Sequence, residues 1–371
     1  RVLFRSFVDP ATGQAVPERS RVGGLASGVP GEAAGFAKAL ADYGSLKPAQ
    51  VVAPALRLAD KGFAVGRHLA RSAANVVPKL AADHPLRSLL APQGQVLTMG
   101  TQIRRPELAS TLRVLSQDGF LAFYRTQPGS IGDDLLKANQ RAGGILQADD
   151  FATYKPIVRT PIEGHYRNHQ LFVIPPPSGG ITALEALQIL DARPPLAQGF
   201  GSSATLHETI EALKHAFADR AKLHGDPAFT EIPVAELASA AYAKGRAETI
   251  QSDRVLPRNG YGRPGTGKPA SPPRDKGTSH LCVIDRNGNA AALTTTVNLG
   301  FGSRVVGPKS GVILNNQMDD FTAKPATENA FGLVGDEANL VAPGKRPASS
   351  MAPIIAVGKD GSIICAGGSG G

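Results

Sequence analysis

A threonine at position 278 stands in the run Asp275-Lys276-Gly277-Thr278-Ser279-His280, between a Pro/Gly-rich stretch and a strand-like pattern. If the Gly277–Thr278 bond were cut, Thr278 would carry both a hydroxyl and a free α-amine. An α-amine titrates at about 7.7–8.0, near working pH, where a general base is most effective. Nucleophile and base would then share one residue, with no separate histidine. A threonine that simply opens a strand needs no such role, so the neighbouring groups decide.

Thr294-Thr295-Thr296-Val297-Asn298 follows on the expected return strand, where alternation predicts Thr294, Thr296 and Asn298 on one face. A hairpin would bring Thr296 beside Thr278. Asn315-Asn316-Gln317-Met318-Asp319-Asp320-Phe321 crowds amides and carboxylates suited to an ammonium ligand. Ser349-Ser350 offers hydroxyl donors for a carboxylate. Together these groups fit a zwitterionic amino-acid ligand. Gly367-Gly368-Ser369-Gly370-Gly371 formally matches G-x-S-x-G, but no acid and histidine follow it. Its glycines suit backbone amides that approach a substrate and hold an oxyanion.

The positioning elements are legible from spacing. Ser27-Gly28-Val29-Pro30-Gly31 is a turn that opens a helix carrying Phe36, Leu40 and Tyr43, and further helices are predicted over roughly 49–76 and 106–119. Gln170–Ile174 is a short strand, stopped by Pro175-Pro176-Pro177-Ser178-Gly179-Gly180. Helix resumes at Ile181 with Leu184, Leu187 and Leu190 on one face. The strongest helical pattern spans about 206–223, where Leu206, Ile210, Leu213 and Phe217 form an apolar stripe for packing, while Glu208, Lys214 and Arg220 point elsewhere. His207 and His215 on it suit surface or satisfied histidines better than ligands. Beyond a linker at about 252–277, His280–Ile284 and Ala290–Val297 pair through a two-residue Asn287-Gly288 turn. Ile354–Val357 and Ile363–Ala366 form a second strand pair around Lys359-Asp360-Gly361. Helices first and strands afterwards argue an α+β fold or layered sandwich.

Composition sets the bounds. The 371 residues are 42% hydrophobic and 19% charged, an ordinary globular balance. No apolar run is long enough for a membrane span. The net charge is +9, but the 252–277 stretch alone holds six basic residues against two acidic ones, so a solvated loop explains part of it without nucleic acid. Cys282 and Cys365 lie in apolar strand patterns and are expected as buried thiols. Gly260-Tyr261-Gly262-Arg263-Pro264-Gly265 matches the dinucleotide fingerprint without its strand and helix, and Gly262–Lys268 resembles a phosphate loop with Pro269 in place of the magnesium-binding hydroxyl. Neither carries a nucleotide.

The sequence resembles the γ-glutamyltranspeptidase family of N-terminal-nucleophile hydrolases. The stretches that carry the resemblance are Ser27–Gly31, Pro175–Gly180, Ala216-Phe217-Ala218-Asp219-Arg220, Gly277–His280, Asn315–Phe321, Gly332-Leu333-Val334-Gly335 and Gly344-Lys345-Arg346-Pro347-Ala348-Ser349-Ser350-Met351. Departures are Ser6 where an acidic residue is usual, Ser279 for a frequent threonine, and Phe331 at a lid position often held by tyrosine.

The resemblance implies an α+β, four-layer αββα sandwich with parts of both family termini missing. Its two portions, residues 1–277 and 278–371, would form one structural domain. It implies autocleavage at Gly277–Thr278, then γ-glutamyl transfer from, and hydrolysis of, glutathione and other γ-glutamyl amides. Thr278 would be the nucleophile, with Thr296 bonded to it and helping to activate it. Arg5 with Ser349 and Ser350 would hold the substrate α-carboxylate; Asn298, Gln317 and Asp320 would hold its α-ammonium. The Gly370 and Gly371 amides would form the oxyanion hole. Amino acids, peptides or water would be acceptors. No metal or organic cofactor is implied, and the location would be periplasmic or secreted. The alternatives are a glutaryl or cephalosporin acylase of the same fold, against which the ammonium-binding set counts, and an unprocessed, inactive scaffold.

Overall fold

The computed structural model describes residues 4–195, 198–263 and 278–369, apart from the side chains of residues 4, 5 and 258. It divides into two compact units, each assembled from separate stretches of chain. A helical unit comprises Glu18–Ile157 and Val297–Met318; a sheet unit comprises Arg1–Pro17, Val158–Thr296 and Asp319–Gly371.

In the helical unit the longer helices are α1 (Glu32–Tyr43), α2 (Pro48–Lys61), α3 (Arg67–Val76), α4 (Pro106–Asp118) and α5 (Ile131–Arg141). Proline opens α2 and α4, where its missing N–H costs nothing. The helix expected over 49–76 is therefore two helices, α2 and α3. Gly62 ends the first with φ 96°, and Phe63–Ala64 pairs with Gln102–Ile103 before the second begins. Leu115, Phe120, Leu135, Phe151 and Leu314 form one apolar core. Phe36 and Leu40 of α1 pack on it, but Tyr43 at the end of α1 is 86% exposed.

The sheet unit holds strands β1 (Ile162–Tyr166), β2 (His169–Val173), β3 (Thr278–Ile284), β4 (Ala290–Thr296), β5 (Ile354–Gly358) and β6 (Ile363–Ala366). Four of them form an antiparallel sheet in the order β1-β2-β5-β6, while β3 and β4 pair as a separate hairpin. Helix α6 (Gly180–Asp191) covers β1 and β2, with Ile181 and Leu184 packed on Leu171, Val173 and Ala356. Helices α7 (Ser203–Leu223) and α8 (Ala240–Ala247) pack on α6. The hairpin lies against β6. Helices packed on one antiparallel sheet, with the hairpin beside its β6 strand, make this an α+β unit. The outer hairpin residues Leu281 and Val283 are half exposed.

Helix α7 faces the opposite way from its sequence expectation. Leu206 and Ile210 are each 50% exposed, and the buried face carries Glu208, Glu211, Ala212, His215, Ala216, Asp219 and Arg220. The physical reason is a polar network that gives Glu208, Glu211, His215 and Asp219 partners. Glu211 accepts from Tyr261 and Lys214, Asp219 accepts from the Tyr242 hydroxyl and the Arg263 amide, and His215 Nδ1 accepts from the Gly262 amide. Arg193 Nη2 donates to Glu208 at 2.6 Å. Small Ala212 and Ala216 let the backbones approach. His207 meets the Gln251 carbonyl, so both histidines are satisfied as expected.

The same network corrects the linker: Tyr261 is only 3% exposed, and residues 261–263 are docked on α7. Two further expectations change. The β3–β4 turn is not the two-residue Asn287-Gly288 type, because Ile284 pairs with Ala290 and residues 285–289 form the loop. Asp285 organises it, accepting from the Asn287 and Asn289 amides. Cys282 is exposed and Cys365 half-buried, because strand alternation turns them toward the hairpin–β6 junction, which leaves them partly open.

Candidate active site

Antiparallel register sets Thr278, the first residue of β3, directly opposite Thr296, the last of β4. The Thr278 hydroxyl donates to Thr296 Oγ1 at 3.1 Å. Both side chains are half-buried, accessible to a ligand yet held by the ladder. On the same face, His280 meets the Thr294 hydroxyl at 2.8 Å, and its ring occupies the space where a Cβ on Gly367 would stand. A side chain at position 367 would displace the His280 ring.

The expected carboxylate and ammonium ligands in the sheet unit share one scaffold. The Ser349 amide donates to the Pro177 carbonyl at 2.7 Å, and the Gly179 amide donates to the Met351 carbonyl at 2.9 Å. A Cβ on Gly179 would lie 2.9 Å from the Ser350 backbone. The Pro-Pro-Pro-Ser-Gly-Gly turn is thus a cradle for the Ser349–Ser350 loop. Ser349 Oγ accepts from the Met351 amide, and Ser350 Oγ accepts from Arg220 Nη2 at 3.1 Å. As acceptors, both hydroxyls keep an O–H proton to donate to a carboxylate. Asn339, 6% exposed, ties this loop to Asp320: its amide donates to the Asp320 carbonyl, and its oxygen accepts from the Ala348 amide. Behind it lie Arg220 and His224. Burial, then the Arg220 charge, pushes the His224 imidazole down to about 3, so it stays neutral.

In the helical unit, Asn298 does not continue β4. The strand ends at Thr296, and Asn298 takes a left-handed φ of 77°. Strand alternation therefore does not set its direction. Its Nδ2 donates to the Asn316 carbonyl at 3.0 Å, which ties it to the amide-rich run. Gln317 follows Asn316 and begins the 3-10 turn Gln317–Asp320. Asn315 Oδ1 accepts from the Gln317 and Gly28 amides, and Asn315 Nδ2 donates to the Gly28 carbonyl. The Ser27–Gly31 turn thereby supports the amide-rich run.

Arg5 lies in the 3-10 turn Phe4–Phe7, and its side chain is outside the described residues. Gly277, Gly370 and Gly371 are outside them as well. Arg220 and Asn339 had no assigned role in the sequence reading, although Arg220 sits in a stretch that matches the family. Among the described residues no cluster of three or more His, Cys, Asp or Glu side chains could hold a metal ion, and no helix is long and apolar enough to cross a membrane.

A profile of the family described as gamma-glutamyltranspeptidase matches residues 4–371. The chain belongs to the gamma-glutamyltranspeptidase family. It is 40% identical over 346 residues to the glutathione hydrolase proenzyme of Escherichia coli (strain K12), covering 93% of this chain and 58% of that one. It therefore spans somewhat over half the length of that relative. Among solved structures, the cephalosporin acylase of Bacillus halodurans superposes with a TM-score of 0.77 at 28% identity, covering 93% of this chain and 60% of that one. The gamma-glutamyltranspeptidase of Helicobacter pylori gives 0.66 at 31% identity, covering 72% and 76%. With these neighbours, the α+β arrangement of this family member is that of an N-terminal-nucleophile hydrolase.

Proposed function

We propose that this gamma-glutamyltranspeptidase family member matures by cleavage between Gly277 and Thr278 into portions 1–277 and 278–371, and then transfers or hydrolyses γ-glutamyl groups of glutathione and related amides. The observation that carries this reading is the pairing of Thr278 with Thr296 at the open end of a strand ladder. In the uncut chain the Thr278 hydroxyl donates a hydrogen bond to Thr296 Oγ1. For scission, Thr278 Oγ1 attacks the Gly277 carbonyl; the C–N bond breaks as the C–O bond forms, the hydroxyl proton passes to the leaving nitrogen, and water hydrolyses the resulting ester. This frees the Thr278 amine and leaves a carboxylate on Gly277.

The amine then takes the Thr278 hydroxyl proton during attack on the γ-amide carbonyl of the donor. Thr296 reverses its role and donates to Thr278 Oγ1. The oxyanion is assigned to the Gly370 and Gly371 amides. The amine product leaves with the proton, and water, an amino acid or a peptide resolves the γ-glutamyl ester. Ser349, Ser350 and Arg5 would bind the α-carboxylate; Asp320, Gln317 and Asn298 would accept from the α-ammonium. The donors are small molecules, and the location that goes with this reading is periplasmic or secreted.

The structural likeness to a cephalosporin acylase favours a second reading, in which a glutaryl-type acyl group lacking the ammonium is the substrate. Both are tested with γ-glutamyl and glutaryl anilides on the wild type and Thr278→Ala. The proposal expects two fragments and γ-glutamyl release from the wild type, and neither from the variant. Faster glutaryl release would select the acylase reading; a full-length, silent wild type would mean an inert scaffold; turnover by Thr278→Ala would reject the nucleophile.

A further inference from the structure

We propose that Arg220 is a positioning residue for the substrate α-carboxylate, acting through the Ser350 hydroxyl. The inference rests on the γ-glutamyl reading above and adds to it a residue that never touches the substrate.

Arg220 is only 8% exposed, whereas Ser350 is exposed. The guanidinium Nη2 donates to Ser350 Oγ at 3.1 Å, and Nε is buried with no hydrogen-bond partner among the described residues. A buried guanidinium with so little hydrogen bonding is costly for packing alone. The Asp320 charge stabilises the guanidinium, and its neighbour His224 stays neutral and adds no second positive charge. A hydroxyl that accepts from a cation has its oxygen lone pair engaged and its own proton turned the other way. Ser350 is thereby fixed as a donor, aimed at solvent, which is the polarity a carboxylate needs. The same cation raises the potential at that spot. The cradle holding Ser349–Ser350 against Gly179 and Pro177 keeps this geometry rigid. Asn339 ties Asp320 to the same loop, so the carboxylate-facing and ammonium-facing groups of the sheet unit are held in one frame.

A merely structural arginine would lower folding yield or affect every substrate alike. A positioning arginine affects only substrates with an α-carboxylate. The test uses Arg220→Gln, Arg220→Lys, Ser350→Ala and the double variant Arg220→Gln/Ser350→Ala. Each is assayed with L-γ-glutamyl anilide and with 4-aminobutanoyl anilide, which keeps the amine and lacks the carboxylate. Expected for Arg220→Gln is a KM for the γ-glutamyl substrate raised roughly tenfold, with kcat within about twofold and autocleavage retained. KM for the decarboxylated analogue should not change. Arg220→Lys should fall between, since it keeps the charge but not the planar fork. Adding Arg220→Gln to Ser350→Ala should cost little more than Ser350→Ala alone. Equal losses on both substrates, or fully additive losses, would overturn the proposal. Should Arg220→Gln fail to accumulate, Arg220→Lys carries the same comparison. A wild type without γ-glutamyl activity would instead count against the functional reading itself.

Discussion

Acid should unfold this protein through two histidines that folding keeps neutral. In an unfolded chain a histidine titrates at 6.5, whereas burial beside Arg220 lowers His224 to about 3. The folded-state pKa is depressed, so the native state binds fewer protons than the unfolded state below 6.5. The stability that this neutrality contributes is complete above that pH and is lost as pH falls toward 3. Integrating the difference gives a loss of about 2 kcal/mol between neutral pH and pH 5, and about 3 kcal/mol by pH 4. His215, lowered to about 4 by burial and then by Arg246, acts in the same direction. The chain has no tryptophan, so urea unfolding is followed by far-UV circular dichroism, at pH 7.5 and at pH 5. The Thr278→Ala background, in which no cleavage is expected, is used at both values. Replacing His224 by Gln removes the titration, whatever it does to absolute stability. The variant should therefore lose about 2 kcal/mol less than its parent over this interval. Equal losses in both proteins would refute the assignment of a neutral, acid-sensitive His224.

Removing the hydroxyl that faces the proposed nucleophile, Thr296→Val, should lower kcat roughly fivefold to tenfold, the worth of one hydrogen bond of about 1 kcal/mol, while Thr296→Ser keeps most of the rate; steady-state kinetics on the γ-glutamyl anilide decide this. In Gly179→Ala the new methyl meets the Ser350 backbone at 2.9 Å, so the Ser349–Ser350 loop must shift. A higher KM and a stability loss of about 1–3 kcal/mol are expected; unchanged KM would mean that the cradle does not set the loop. Burial, together with the Asp219 carboxylate, raises the Glu185 carboxyl well above its ordinary range, so folding favours its protonated form. The stability that its proton contributes is present at acid pH and is lost as pH rises through that raised value. Glu185→Gln, which imitates the protonated form, should flatten this decline in thermal midpoint.

What the sequence made legible was mostly local. Thr278 opening a strand, Thr296 opposite it, the strands around residues 170 and 354–366, and the opening of α6 all follow from alternation and punctuation by proline and glycine. Periodicity failed on α7 because that helix carries two stripes. Leu206, Ile210 and Leu213 are as regularly spaced as Glu211, His215 and Asp219, and spacing alone does not say which faces inward. The polar stripe is buried because partners distant in sequence, Tyr242 and residues 261–263, satisfy it. For the same reason a basic, glycine-rich stretch read as linker is docked up to Arg263. Asn298 escaped the alternation rule because its left-handed backbone ends the strand. Arg220 and Asn339 act through neighbours, which leaves no signature in residue spacing.

The central claim is tested most directly by sequencing the amino termini of an active preparation. The account predicts a fragment beginning Thr-Ser-His-Leu-Cys at position 278, present in proportion to γ-glutamyl turnover and missing from Thr278→Ala. Full activity from an uncut chain, or from a fragment that begins elsewhere, would contradict it.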